Sequence, residues 1–267
     1  HTQQTASFEH MHLVVRRAPL LFPRRPHHSS TQRCAPKNSM TILNAKLSHD
    51  SDSHLQQSAP PRGALLVFEG VDRCGKSSQT KDLVASLGKA GVKAELWCYP
   101  DRTTAIGGML NAYLSNKAEL SDHAVHLLFA ANRWEKSSLM EQKLREGITL
   151  VVDRYSYSGV AFTAAKEKPG LDLEWCLAPE KGLIAPDLVV FLQINVEEAA
   201  KRGGFGEERY EKVDLQKKVA AQFEAMKSDN WQIVDATQSM ETVQKEVQTI
   251  TKAVIEKCAL GQPLAFF

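Results

Sequence analysis

Apolar residues along the chain fall into short near-continuous runs, separated by longer stretches of helical spacing. Residues 64–68, 148–152 and 188–192 are runs of strand length with no apolar–polar alternation, the pattern of strands buried on both faces of a parallel sheet. Residues 231–234 form a shorter run, and residues 92–98 alternate apolar and polar; both read as strands. Apolar spacing of three and four predicts helices over 77–89, 105–115, 123–134, 137–146 and 241–257. Strands alternating with helices predict an α/β fold: a parallel β-sheet covered by helices on both faces. No internal repeat of fixed period is present.

Ahead of residue 61 this pattern is lost. Ser, His, Gln, Pro and Arg dominate, and no acidic residue lies between Met11 and Asp50, a stretch that carries Arg16, Arg17, Arg24, Arg25, Arg33, Lys37 and Lys46. Such a segment reads as an organelle transit peptide or as an unstructured extension. The first residue is His1, and Met11 and Met40 are both candidate starts. The expected organisation is an extension over 1–61, one folded domain over 62–260 and a tail over 261–267. A transit peptide would send the domain to mitochondria or plastids; without one, cytoplasm and nucleus are expected.

Composition narrows the partners. A net charge of +2 over 267 residues gives no electrostatic case for nucleic acid or a membrane surface. No run approaches the ~20 apolar residues that span a bilayer. The five cysteines are scattered and none forms a C-x-x-C pair, which points to free thiols in a reducing compartment, without a zinc site.

The strongest local signal is the segment from Gly70 to Ser77, Gly-Val-Asp-Arg-Cys-Gly-Lys-Ser. It fits G-x-x-x-x-G-K-[ST] between a predicted strand and a predicted helix, the context a phosphate-binding P-loop requires. Gly70 and Gly75 let the backbone turn its N–H groups toward phosphates, and the helix start adds its positive dipole end. Lys76 is expected to reach the β- and γ-phosphates of a nucleoside triphosphate, Ser77 to ligate Mg²⁺, and Cys74 and Ser78 to flank the nucleotide. Asp153, ending the strand over 148–152, is the matching carboxylate for Mg²⁺. The motif by itself does not separate a kinase from a GTPase or an ATPase. Asn116-Lys-Ala-Glu119 only faintly resembles a guanine-binding motif. It ends in Glu and precedes a helix instead of following a buried strand.

Isolated arginines near strand ends say more. Arg73 lies in the P-loop, Arg102 follows the strand over 92–98, and Arg154 follows Asp153. Ligands of doubly wound sheets bind at the carboxyl ends of strands. Several arginines there suit an enzyme that holds two phosphates together and clamps the charge developing between them. Gly203-Gly-Phe-Gly206, flanked by Arg202 and Arg209, suits a short lid that excludes water.

Five segments in order resemble the thymidylate kinase family, of the eukaryotic and plant-like type. They are residues 68–78, Tyr99-Pro-Asp-Arg102, residues 126–134, residues 152–155 with 158–162, and Glu208-Arg-Tyr210. The resemblance runs from about Arg62 to Lys257. It implies a P-loop NTPase fold with a short lid, and transfer of the γ-phosphate of ATP to dTMP, giving dTDP for dTTP synthesis. It also implies Mg²⁺ and a homodimer, with the helix over 123–134 near the interface.

Roles follow from the resemblance. Asp72 would accept the 3′-hydroxyl of dTMP, and Arg102 and Arg154 would hold its phosphate. Phe129 would stack on thymine. Arg133, four residues on and on the same helical face, would bond a base carbonyl. Gly159 would contact the substrate, and Phe162 would lie against the deoxyribose, where a bare ring leaves a 2′-hydroxyl without a partner. Tyr210 would approach from the lid, and Arg202 and Ala236 would contact adenine. Arg73 would stabilise the moving phosphoryl group, since the lid stretch 205–208 holds no basic residue. Cys74, Tyr99 and Asp101 depart from the residues usual there, and Cys74 sets a thiol beside the phosphates. Two rivals remain at this point: a deoxynucleoside kinase, and a P-loop switch or scaffold with no acceptor.

Overall fold

Five strands form one parallel sheet: β1 (Leu65–Glu69), β2 (Ala94–Cys98), β3 (Thr149–Asp153), β4 (Leu188–Gln193) and β5 (Trp231–Asp235), in the spatial order β2-β3-β1-β4-β5. The computed structural model describes residues 60–267, so most of the N-terminal extension and its transit-peptide reading lie outside the described residues. The helices are α1 (Lys76–Lys89), α2 (Ala105–Leu114), α3 (Asp122–Trp134), α4 (Ser137–Arg145), α5 (Ser156–Ala164), α6 (Leu173–Leu177), α7 (Val196–Ala200), α8 (Val213–Met226) and α9 (Met240–Ala259), with a 3-10 turn at Ala178–Glu180.

Alternate residues of the central strands feed two cores. Leu66 and Phe68 of β1 pack with Val190 and Leu192 of β4 against Leu83 of α1 and Val243 and Val247 of α9. Leu65 and Val67 face the other way, with Leu150 and Val152, against Met140 and Leu144 of α4. Val189 and Phe191 join α3, α5 and α8 on that same side. Each fully buried Leu or Val contributes about 1.5–3 kcal/mol relative to exposure. The parallel sheet therefore has helices on both faces, as the uninterrupted apolar runs require.

Caps explain several helix starts. Thr104, Ser121 and Ser239 each accept a backbone N–H from the first turn of α2, α3 and α9. Helix α1 differs: Gly75 at its N-cap has φ 107° and offers no side-chain cap. Its first N–H groups are left to an anion.

Residues beyond 260 are packed onto the domain. Phe266 bridges to Ile184, the Gly182 N–H donates to the Phe267 carbonyl at 3.0 Å, and the Phe267 ring lies 5.5 Å from that of Tyr157. Among the described residues no helix is long and apolar enough to cross a membrane.

Candidate active site

The chain leaves β1 toward β2 on one side and leaves β3 toward β4 on the other. Between the carboxyl ends of β1 and β3 lies a topological switch point, the crevice where such sheets bind ligands. A cavity of about 820 Å³ opens there. Every site residue expected from sequence lines it except Gly70. Gly70 forms the back of the loop, at φ 143°, where a Cβ would fall 2.7 Å from the Leu192 carbonyl oxygen.

The loop between β1 and α1 wraps around Lys76. This side chain is buried, and its ammonium donates to the carbonyls of Gly70 (3.1 Å) and Val71 (2.8 Å) and to Cys74 Sγ (3.3 Å). It therefore sits at the centre of the loop, held by the loop's own carbonyls. Ser77 Oγ donates to Asp153 Oδ2 at 2.5 Å. A hydroxyl and a carboxylate side by side are hard oxygen donors that fit Mg²⁺, which binds through one or two carboxylates plus substrate phosphates.

Arg73 and Arg154 share an unusual backbone. Both lie in the left-handed region, at φ 61° and 65°, a conformation that costs a non-glycine residue about 1–3 kcal/mol and clusters at functional sites. The Arg154 guanidinium donates to the Asp72 carboxylate, to Ser158 Oγ at 3.0 Å and to the Gly70 carbonyl at 3.3 Å. It also lies over the Phe162 ring, 5.3 Å from the centroid. Asp72 is further held by Gln216, which donates to it at 2.5 Å. Arg102 reaches across to the lid, donating to Glu208 at 2.6 Å and to Asn111 at 2.8 Å.

Glu211 is the buried carboxylate that ties the lid to the P-loop. Glu211 Oε2 accepts the N–H groups of Gly206, Glu207 and Glu208 at 2.9–3.2 Å, and Glu211 Oε1 accepts Arg73 Nε at 2.7 Å. Arg73 also donates to the Gly204 carbonyl. Arg202 spans the nucleotide end, donating to the carbonyls of Arg73 and Ala236, both at 2.9 Å.

Helices α3 and α5 wall the opposite end. Phe129 and Arg133, one turn apart on α3, both line the cavity with Gly159 and Phe162 of α5. Tyr210 packs its ring 5.4 Å from Phe162 and shares a 3.4 Å hydroxyl contact with Tyr113. Arg133 is buried against Glu180. The space is thus polar and anion-binding at the P-loop, basic in the middle, and flat and aromatic at the far end.

A model of the family described as thymidylate kinase matches residues 68–247. Thymidylate kinase of Arabidopsis thaliana is 51% identical over 233 residues, covering 87% of each chain. That of Homo sapiens is 50% identical over 209 residues, 77% of this chain and 97% of that one. A solved structure of thymidylate kinase from Candida albicans has a TM-score of 0.72 at 36% identity, covering 78% of this chain and 100% of that one. The chain belongs to the thymidylate kinase family.

Four residues shape the site of this family member without having been singled out from sequence. Glu69, fully buried, accepts the N–H groups of Tyr155 and Ser158 at 3.0 Å and thereby braces the turn that presents Arg154. Burial pushes its carboxyl up, against the opposing pull of Ser158 and Arg154. Glu180, Glu211 and Gln216 act on partners 47, 138 and 144 residues away. Local pattern carries no signal for such pairs. The nearest one was the unassigned acid immediately after Glu208-Arg-Tyr210.

Proposed function

We propose that the chain transfers the γ-phosphate of ATP directly to the phosphate of dTMP, giving ADP and dTDP. The observation that carries the reading is one continuous cavity with a P-loop at one end and the Phe129–Arg133 wall at the other, with Arg102 and Arg154 between. Family membership and the identity to thymidylate kinases support the acceptor.

ATP enters with its phosphates over the N-terminus of α1 and its adenine toward Arg202 and Ala236. Cys74, Gly75 and Ser78 present loop and helix N–H groups. Lys76 and Arg73 neutralise the transferred group, and Ser77 and Asp153 would hold Mg²⁺, which when bound would supply positive charge to the nucleotide phosphates. Asp72 accepts the 3′-hydroxyl of dTMP, Arg102 and Arg154 hold its phosphate, Phe129 stacks on thymine and Arg133 donates to a base carbonyl. Phe162 lies against the deoxyribose beside Gly159, and Tyr210 closes the acceptor side.

In the step itself, an oxygen of the dTMP phosphate forms a bond to the γ-phosphorus. The bond from that phosphorus to the β,γ-bridging oxygen breaks, and ADP leaves with the electron pair. A phosphate monoester with a second pKa of about 6 is mostly dianionic at neutral pH, so no strong general base is required. Lid residues 203–211 exclude water that would otherwise accept the phosphoryl group. The working unit is a homodimer. It acts in cytoplasm and nucleus, or in mitochondria or plastids if residues 1–61 serve as a transit peptide.

The test is a coupled ADP-release assay on the full chain with ATP and Mg²⁺, offering dTMP, dUMP, dCMP, UMP and thymidine. Release that depends on dTMP, is weaker with dUMP and stays near background with the rest supports the reading. Release with thymidine but not dTMP would mean a nucleoside kinase, and none with any acceptor would mean a nucleotide-binding switch.

A further inference from the structure

The Arg133 guanidinium is fixed on three sides by groups that lie in different parts of the chain. Its Nε donates to Glu180 Oε2 at 2.8 Å and its Nη2 donates to Glu180 Oε1. Ser156 Oγ donates to the same Oε2 at 2.7 Å, so the carboxylate is itself anchored to α5. The side chains of Arg133 and Glu180 are 2% and 0% exposed. On the third side the backbone of α5 closes in: a Cβ on Gly159 would fall 2.6 Å from Nη2 and 3.0 Å from Nη1. A glycine at that position lets the helix lie flat against the guanidinium.

A guanidinium carries its five N–H donors in one rigid plane and has no acceptor. The Nε and Nη2 edge is engaged by Glu180. What remains, beside Phe129, is the Nη1 donor pair and the second Nη2 N–H, and among the described residues no hydrogen bond occupies them.

We propose that Glu180 is the positioning residue that sets discrimination between thymine and cytosine. The inference rests on the dTMP kinase reading and deepens it. Thymine and uracil carry a carbonyl acceptor at C4, and cytosine carries an amino donor there. A donor that cannot move rewards the first two and faces the third with an unpaired N–H opposite an unpaired N–H. An arginine free to swing could withdraw from the cytosine amino group or turn toward the C2 carbonyl that all three bases share. The immobility imposed by Glu180, Ser156 and Gly159 therefore makes the arginine selective.

The experiment measures kcat and KM for dTMP, dUMP, dCMP and ATP in the full chain and in Glu180→Gln, Glu180→Asp and Ser156→Ala. For Glu180→Gln the KM for dTMP rises about 10- to 100-fold and the dTMP-over-dCMP ratio of kcat/KM falls by about tenfold or more. The dTMP-over-dUMP ratio and the KM for ATP stay within about twofold, because thymine and uracil present the same C4 carbonyl and ATP binds at the other end of the cavity. Glu180→Asp and Ser156→Ala move the same quantities in the same direction by less, and they carry the test if Glu180→Gln does not fold. The proposal is overturned if folded variants keep the dTMP-over-dCMP ratio within about twofold of the parent, or if KM for ATP rises as much as KM for dTMP. A parent chain that releases no ADP with dTMP would defeat the kinase reading instead.

Discussion

Replacing Glu211 by Ala removes the carboxylate that accepts from both the lid backbone and the P-loop arginine. Three lid N–H groups and Arg73 Nε lose their acceptor at once. Hydrogen bonds to charged groups contribute about 1.5–3 kcal/mol each, and every 1.4 kcal/mol is tenfold in rate. Water can replace Glu211 at the exposed lid backbone, so only the Arg73 bond is counted. Arg73 is 32% exposed, and solvent screening places the effect at the lower end, roughly 10- to 30-fold in kcat. KM for dTMP should change little, because the bonds lost lie at the P-loop end. The assay is steady-state ADP release in Glu211→Ala, Arg73→Ala and the double variant. If Glu211 acts through Arg73, its removal costs less than about twofold once Arg73 is absent. A kcat for Glu211→Ala within twofold of the parent, or a full loss that persists in the Arg73→Ala background, would refute the coupling.

Three further outcomes are expected. Lys76→Met should lower kcat/KM by about 10²–10³-fold with the circular dichroism spectrum retained, since it removes a preorganised donor from the developing charge. Gly159→Ala forces a Cβ to within 2.6 Å of the clamped Arg133; it should destabilise by about 1–3 kcal/mol and raise KM for dTMP with KM for ATP unchanged, as read by thermal melts and kinetics. Asp101 tests pH linkage. Burial would raise its carboxyl, but Lys136 at 2.6 Å and Thr103 outweigh this and hold it at about 2. Against an unfolded value of ~3.9, the charged form contributes about 2 kcal/mol, fully present above about pH 4 and lost as pH falls through about 2. Asp101→Asn should therefore melt lower than the parent at pH 7 and converge with it near pH 2, and a gap that persists in acid would contradict this assignment.

What the sequence made legible follows from where the physics is local. The runs over 64–68, 148–152 and 188–192 became β1, β3 and β4 within a residue or so, because strands buried on both faces need apolar side chains at every position. The capped amphipathic helices α2, α3 and α9 were legible for the same kind of reason: one apolar stripe and one Ser or Thr at the start. Helix α5 leaves no such trace in the sequence. All nine of its residues are buried, so it has no polar face and no periodic stripe. Helix α8 follows Lys212, which offers no side-chain cap; its only local signal is the helical spacing of Leu215, Val219, Phe223 and Met226. Within the site, the P-loop and the strand-end arginines were visible because backbone and side chain act together over a few residues. Glu180 and Glu211 were not, because the bonds they make exist only once α3 meets the 3-10 turn and the lid meets the P-loop.

The most direct measurement of the central claim is a phosphorus NMR time course of the full chain with ATP, Mg²⁺ and dTMP. The dTMP monoester signal should be replaced by the paired diphosphate signals of dTDP, in step with conversion of ATP to ADP and without free inorganic phosphate. ADP accumulating with inorganic phosphate, while the dTMP signal stays constant, would contradict it.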